Sequence, residues 1–133
     1  MPKKNKRTFL GTVGVDSGQV MICDPCYIGS EWKETDDTKD LGHEDNKGQF
    51  SYGGCCFATL KEKNQGGQLN YKMGHAGAGV AVSSGYGDGG YPVYAEYNEE
   101  GRVKRITVEF IADDVESIVD ELEGRRAKCE SKT

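Results

Sequence analysis

No apolar run in this sequence approaches the roughly 20 residues that a helix needs to cross a bilayer, so a membrane partner is not expected. The basic start (Lys3, Lys4, Lys6, Arg7) is not followed by the apolar stretch of a signal peptide. Aliphatic residues are scarce: Leu, Ile, Val and Phe number 24, or 18% of 133 residues. So low a content accompanies disorder only when net charge is high, and here it is −5. Positive charge is not in excess, which argues against nucleic acid as a partner. Five cysteines form an odd set, and without a secretory leader they read as reduced thiols in a cytoplasm.

The 19 glycines and seven tyrosines supply what the aliphatics do not. Val outnumbers Leu, which favours β structure, because branched side chains suit a pleated surface. The length suits one domain, expected over residues 8–124, with a disordered basic leader at 1–7 and a frayed tail at 125–133.

Thr8–Val15 and Gln19–Cys23 read as strands joined in a tight hairpin by Asp16, Ser17 and Gly18. Residues 29–49 break the pattern with seven acidic and three basic side chains, and a loop that long is functional or mobile. Ser30 is placed to cap one helical turn through Trp32. Residues 50–61 resume strand character, and Asn64, Gln65, Gly66 and Gly67 form a turn into a strand at 68–73. Residues 78–83 form a strand of small side chains under a close neighbour. Residues 91–97 and 102–110 flank a hairpin loop at 98–101. Ile106, Val108 and Phe110 alternate with Arg105, Thr107 and Glu109, as in a half-buried antiparallel strand. A helix is expected from Asp113, with Glu116 completing a capping-box spacing and Gly124 as its C-cap. The expected fold is α+β and mainly β: an antiparallel sheet rolled into a sandwich or open barrel, with that C-terminal helix packed on it.

Two loops set an aspartate among glycines: Val15-Asp16-Ser17-Gly18, and Gly85-Tyr86-Gly87-Asp88-Gly89-Gly90-Tyr91-Pro92-Val93. The pair resembles domain-of-unknown-function proteins of bacteria and tailed phages. The resemblance implies a small cytosolic protein (in the host cytoplasm if phage-encoded) and brings no activity with it.

Gly85, Gly87 and Gly90 match the dinucleotide fingerprint in spacing alone. That motif needs a helix after it, and Tyr91-Pro92-Val93 reads as a strand. Pro92 places this strand at a sheet edge or makes it a strand start. No Gly-Lys-Ser/Thr follows, which excludes a P-loop. The loop is then a wide turn or a nest of backbone N–H groups for an anion.

Asp16, Asp24 and Asp88 are candidate metal ligands for a hydrolase. Asp16 and Asp24 stand about 26 Å apart along a straight strand, so Asp88 could join only one of them. The alternative is that Asp16 and Asp88 hold their own loop amides. Cys23 and Cys26 have zinc half-site spacing, with Cys55 or Cys56 and His43 or His75 as further ligands. Cys55 and Cys56, adjacent in a strand, would face opposite ways. Buried thiols are the alternative. Nucleophilic pairings of Cys26 or Cys56, or of Ser83 or Ser84, with a histidine lack an orienting third group. Tyr86, Tyr91, Tyr94 and Trp32 are rings for stacking or for the core.

The expected role is a non-catalytic accessory protein that binds a small ligand, anionic ligands included, or a protein partner. Its expected site joins Tyr86, Gly87, Asp88, Gly89 and Tyr91 to Asp24 and Tyr27, under the 29–49 loop as a cover. No cofactor is expected. The metal-assisted hydrolase, a structural or assembly module, and a homo-oligomer remain open.

Overall fold

Alternation of branched and polar side chains yields six strands in a computed structural model that describes residues 6–35 and 40–113. They are β1 (Thr8–Val15), β2 (Gln19–Cys23), β3 (Gly66–Asn70), β4 (Ala76–Ser83), β5 (Gly89–Tyr97) and β6 (Val103–Val108), with one helix, α1 (Tyr52–Leu60). Among the described residues the fold is mainly antiparallel β, in two three-stranded sheets ordered β1-β5-β6 and β2-β4-β3, neither closed into a barrel. The chain divides into two compact units, Asp16–Gly87 and the segments on either side of it. The expected helix from Asp113 to Gly124 lies outside the described residues.

β1 and β2 do not form the expected hairpin. β1 pairs with β5, and β2 pairs with β4. Asp16-Ser17-Gly18 instead carries the chain from one sheet to the other. Gly18 adopts φ +72, and its carbonyl accepts from the Ser84 N–H at 3.0 Å. The late glycine run does what the sequence reading requires: β4 ends at Ser83, and strand β5 starts at Gly89.

In the β1-β5-β6 sheet, β5 is central, so Pro92 is neither at an edge nor at a strand start. Its carbonyl accepts from the Glu109 N–H at 3.2 Å. The proline nitrogen faces that same side, one residue past the last β6 residue, Val108, where the ladder needs no donor. The 98–101 loop forms as expected: Asn98 Oδ1 accepts from the N–H groups of Glu100 and Arg102, both at 2.9 Å, and Gly101 takes φ +84. The expected half-burial of β6 is incomplete, since Ile106 remains 50% exposed.

In the β2-β4-β3 sheet the expected strand at 50–61 is a helix. Ser51 caps it, accepting from the Gly54 N–H at 2.9 Å. α1 lies over small residues of β4, as the small side chains there foretold. Phe50, Cys55, Ala58, Leu69, Ala78 and Ala81 form the core. Helix and sheet approach closely because both faces are small. A Cβ on Gly67 of β3 would meet the Ala58 Cβ of α1 at 3.6 Å. The segment before α1 is as close: a Cβ on Gly79 would meet Phe50 at 3.3 Å, and one on Gly54 would run into the Gln49 carbonyl. β3 begins at Gly66 and ends at Asn70, earlier at both ends than expected. Among the described residues no helix is long and apolar enough to cross a membrane.

Candidate functional site

Asp24 opens a single 3-10 turn, Pro25–Tyr27. Its carboxylate accepts from the Cys26 N–H at 3.0 Å, and Pro25 takes the first helical position, where no donor is required. The cap is therefore Asp24, not Ser30. That hydrogen bond holds the Asp24 carboxyl below the usual carboxylate range. The neighbouring carboxylate pushes the Cys26 thiol up, away from the thiolate that a nucleophile needs.

The turn also places Tyr27. Its carbonyl gathers the N–H groups of Ser30, Glu31 and Trp32 at 3.2, 2.8 and 3.2 Å, which folds the start of the 29–49 loop against the unit. Its hydroxyl accepts from the Tyr71 hydroxyl at 3.2 Å, and the two rings meet edge to face. Once Tyr71 ionises, Tyr27 holds the proton of this hydrogen bond, and the bond together with the negative charge of the Tyr71 phenolate pushes the Tyr27 hydroxyl up to about 12. Trp32 packs edge-on against Phe50 at 5.1 Å, so this ring serves the core.

Two parallel bridges, Lys33 with Ser51 and Gln49 with Asn70, lay both ends of the 29–49 loop along the unit. Asn46, buried in this loop, donates to the Leu41 carbonyl at 2.9 Å. The Asn70 N–H donates to the Gly48 carbonyl at 2.7 Å. The result is a cleft of ≈ 530 Å³ whose walls include Lys33, Lys47, Lys72, Asn70, Tyr71 and Phe50. Three lysines converge here in a chain of net charge −5. Among the described residues none of the three is in an ion pair. One acid of the wall, Glu31, is engaged by the Lys72 N–H at 2.8 Å. A second cleft, of ≈ 520 Å³, runs beside β3 and shares Lys47, Gly48 and Asn70 with the first.

The sequence-derived candidates fall into separate groups. Asp24, Tyr27, Tyr86 and Gly87 belong to the Asp16–Gly87 unit, and Asp88, Gly89 and Tyr91 to the other. Tyr86 is 92% exposed. Tyr91 packs against Phe110 at 5.2 Å, and Tyr94 lies under Arg7 at 4.0 Å. Asp24 holds the loop amide, a task expected of Asp16 and Asp88. Among the described residues no three side chains of His, Cys, Asp and Glu converge as metal ligands. Cys55 and Cys56 are both buried on α1 and not on opposite faces of a strand. Cys55 Sγ lies 3.7 Å from Met21 Sδ, and burial pushes its thiol up to about 11. Cys56 Sγ accepts from Gln19 Nε2 at 3.7 Å. His43 Nδ1 accepts from the Asp45 N–H, and His75 packs on Tyr71 at 4.5 Å. Cys55, Cys56, His43 and His75 thus each contact a different group.

The cleft lysines, Asn70 and Tyr71 escaped the sequence reading. The available signal was the 29–49 loop, which supplies Lys33 and Lys47. Lys72 and Tyr71 gave none, because the bridges that bring them to the loop are non-local.

No curated protein and no solved structure matches the chain. A family model, described as "Protein of unknown function (DUF4241)", matches residues 5–108, and the chain belongs to that family.

Proposed function

We propose that the protein is a binding module that takes a small anionic ligand in the cleft of the Asp16–Gly87 unit. The observation that carries this reading is the convergence of Lys33, Lys47 and Lys72 on one cavity of ≈ 530 Å³. Cavities of this size suit a small ligand. Ammonium groups around an amide and an apolar floor form charge-assisted hydrogen bonds to phosphate or carboxylate oxygens. Asp24 and Tyr27 act here as supports: the capped turn holds Tyr27, and Tyr27 holds Tyr71. From the 29–49 segment, Glu31, Lys33, Asp45, Lys47, Gly48 and Gln49 form part of the wall. The function is accessory and non-catalytic in this reading. The cleft sets its three lysines against two carboxylates, Glu31 and Asp45, which leaves one positive charge and the donors of Asn70 and Tyr71 to hold an anion, and its phenol support keeps its proton.

Pyrophosphate and adenosine triphosphate serve as probes, followed by calorimetry and by Trp32 fluorescence. At least one should bind with Kd below about 1 mM. The triple variant Lys33→Ala, Lys47→Ala, Lys72→Ala should weaken it at least about tenfold, a change of about 1.4 kcal/mol. Equal affinity in the triple variant would remove the cleft as the site.

A further inference from the structure

β3 lies at the edge of its sheet, with β4 on one side only. The Ser83 N–H donates to the Gln65 carbonyl at 2.9 Å. In an antiparallel ladder a residue's N–H and C=O point the same way, and the direction alternates along the strand. Gln65, Gly67 and Leu69 therefore face β4, opposite Ser83, Ala81 and Gly79. Gly66, Gln68 and Asn70 face outward. The Asn70 N–H confirms the phase, since it donates to the Gly48 carbonyl on the outer side. The main-chain groups of Gly66 and Gln68 thus line an open edge, along the ≈ 520 Å³ groove.

We propose that this edge pairs with the same edge of a second copy of the chain. Two copies related by a two-fold axis at Gly67 set Gly66 opposite the partner's Gln68 and Gln68 opposite the partner's Gly66. All four residues then face inward, so the register makes four main-chain hydrogen bonds. The ends of the gap fit the same register. On one side Gly48 fills the place opposite Asn70. A partner strand in this register would reach that place with its residue 64. The chain has already turned away there, because Gln65 adopts φ +62 and its N–H closes a turn onto the Glu62 carbonyl at 3.1 Å. The open stretch on one copy thus matches the straight stretch on the other. Gly67 faces Gly67 across the axis, and no side chain keeps the backbones apart. Natural edges are blocked by charge, proline or bulges. Gly66-Gly67-Gln68 itself carries none of these; the irregularity of this strand pair lies beyond it at Leu69/Asn70, and the charges beside the groove, Lys47 and Glu62, are of opposite sign. The inference stands apart from the anion reading, since it uses the main chain of β3.

Sedimentation between about 10 μM and about 1 mM tests it, paired with amide hydrogen exchange. A contact this small should be weak, half-dimeric at roughly 100 μM. The Gly66 and Gln68 amides should gain protection as concentration rises. Those of Gly67 and Leu69, bonded to β4, should be protected throughout. Gln68→Pro removes an outward N–H and no main-chain bond to β4, but it also loses the side-chain donation from Gln68 Nε2 to the Gly79 carbonyl at 3.1 Å. It should weaken dimerisation at least about tenfold with the fold kept by circular dichroism, whereas Gln68→Ala, which loses that side-chain donation and keeps the N–H, should leave dimerisation unchanged. If that variant unfolds, the concentration dependence of the two amides in the unaltered chain decides. A monomer at about 1 mM would overturn the proposal. So would a dimer in which the Gly66 and Gln68 amides exchange freely.

Discussion

Both sheets have three strands, yet they are stabilised differently. The β2-β4-β3 sheet carries α1 on one face and closes Phe50, Leu69 and four small side chains into a core. In the β1-β5-β6 unit, among the described residues, the buried apolar side chains are Val15 and Ala95. Its rings sit partly open in surface pairs, Phe9 on Tyr94 and Tyr91 on Phe110. One unit rests on burial, whereas the other shows ladder hydrogen bonds and cross-strand pairs among its described residues. Buried substitutions should therefore be severe in the first, and surface substitutions mild in the second.

The largest effect should come from Phe50→Ala. Phe50 is 2% exposed and contacts Trp32 on one side and the Gly79 backbone on the other. A loss of about 4 kcal/mol is expected from the lost burial and the cavity left behind. Urea unfolding followed by Trp32 fluorescence measures it. The matching change in the other unit, Phe9→Ala, removes a ring that is 57% exposed and should cost less than about 1 kcal/mol. Equal costs would break the contrast.

Next comes Gly54→Ala. The added methyl has no room, because the Gln49 carbonyl occupies its place and backbone cannot swing aside as a side chain can. About 3 kcal/mol should be lost, although alanine is the better helix former by about 1 kcal/mol. A rise in stability on this change would mean that α1 does not sit so close to the loop.

Raising the pH gives a gentler test of the same core. The Cys55 thiol is raised from 9.0 to about 11, with burial the leading cause. Below pH 9 the thiol is protonated in folded and unfolded chains alike, and its contribution is complete. Between about 9 and 11 the unfolded chain loses this proton while the folded one keeps it, so stability falls as pH rises. Thermal melts across that window should show a steeper decline for the unaltered chain than for Cys55→Ala. Parallel curves would mean that Cys55 is solvated.

The same contrast explains what the sequence disclosed. The β5–β6 hairpin was legible because its signals are local: alternation at 105–110 and a turn at 98–101. The small residues of β4 correctly announced a close neighbour. That neighbour, α1, was not legible. Tyr-Gly-Gly-Cys-Cys-Phe-Ala is poor in helix formers, and its helix rests on the Ser51 cap and on packing over β4. The β1–β2 turn misled because Asp-Ser-Gly permits a hairpin, and only distant partners, β5 and β4, decide otherwise. The cleft was half legible. Residues 29–49 stood out as a segment without period, but the bridges to Ser51 and Asn70 cannot be read from composition.

The smallest effect should lie on the open sheet, at the cross-strand pair of Arg105 and Glu96. The guanidinium donates to the carboxylate at 2.9 Å, and the residues sit opposite each other in the β5–β6 register. The pair is unequal: the Arg105 side chain is 50% exposed, the Glu96 side chain only 12%. Arg105→Ala strips a half-shielded carboxylate of its partner, whereas Glu96→Gln leaves an arginine that water can solvate. The arginine change should therefore cost more, about 1 kcal/mol against about 0.5. A double-mutant cycle in urea should find a coupling below about 1 kcal/mol that shrinks in about 1 M salt. A coupling of about 3 kcal/mol that resists salt would show this surface to be shielded in solution, and the contrast between the two units would then lose its basis.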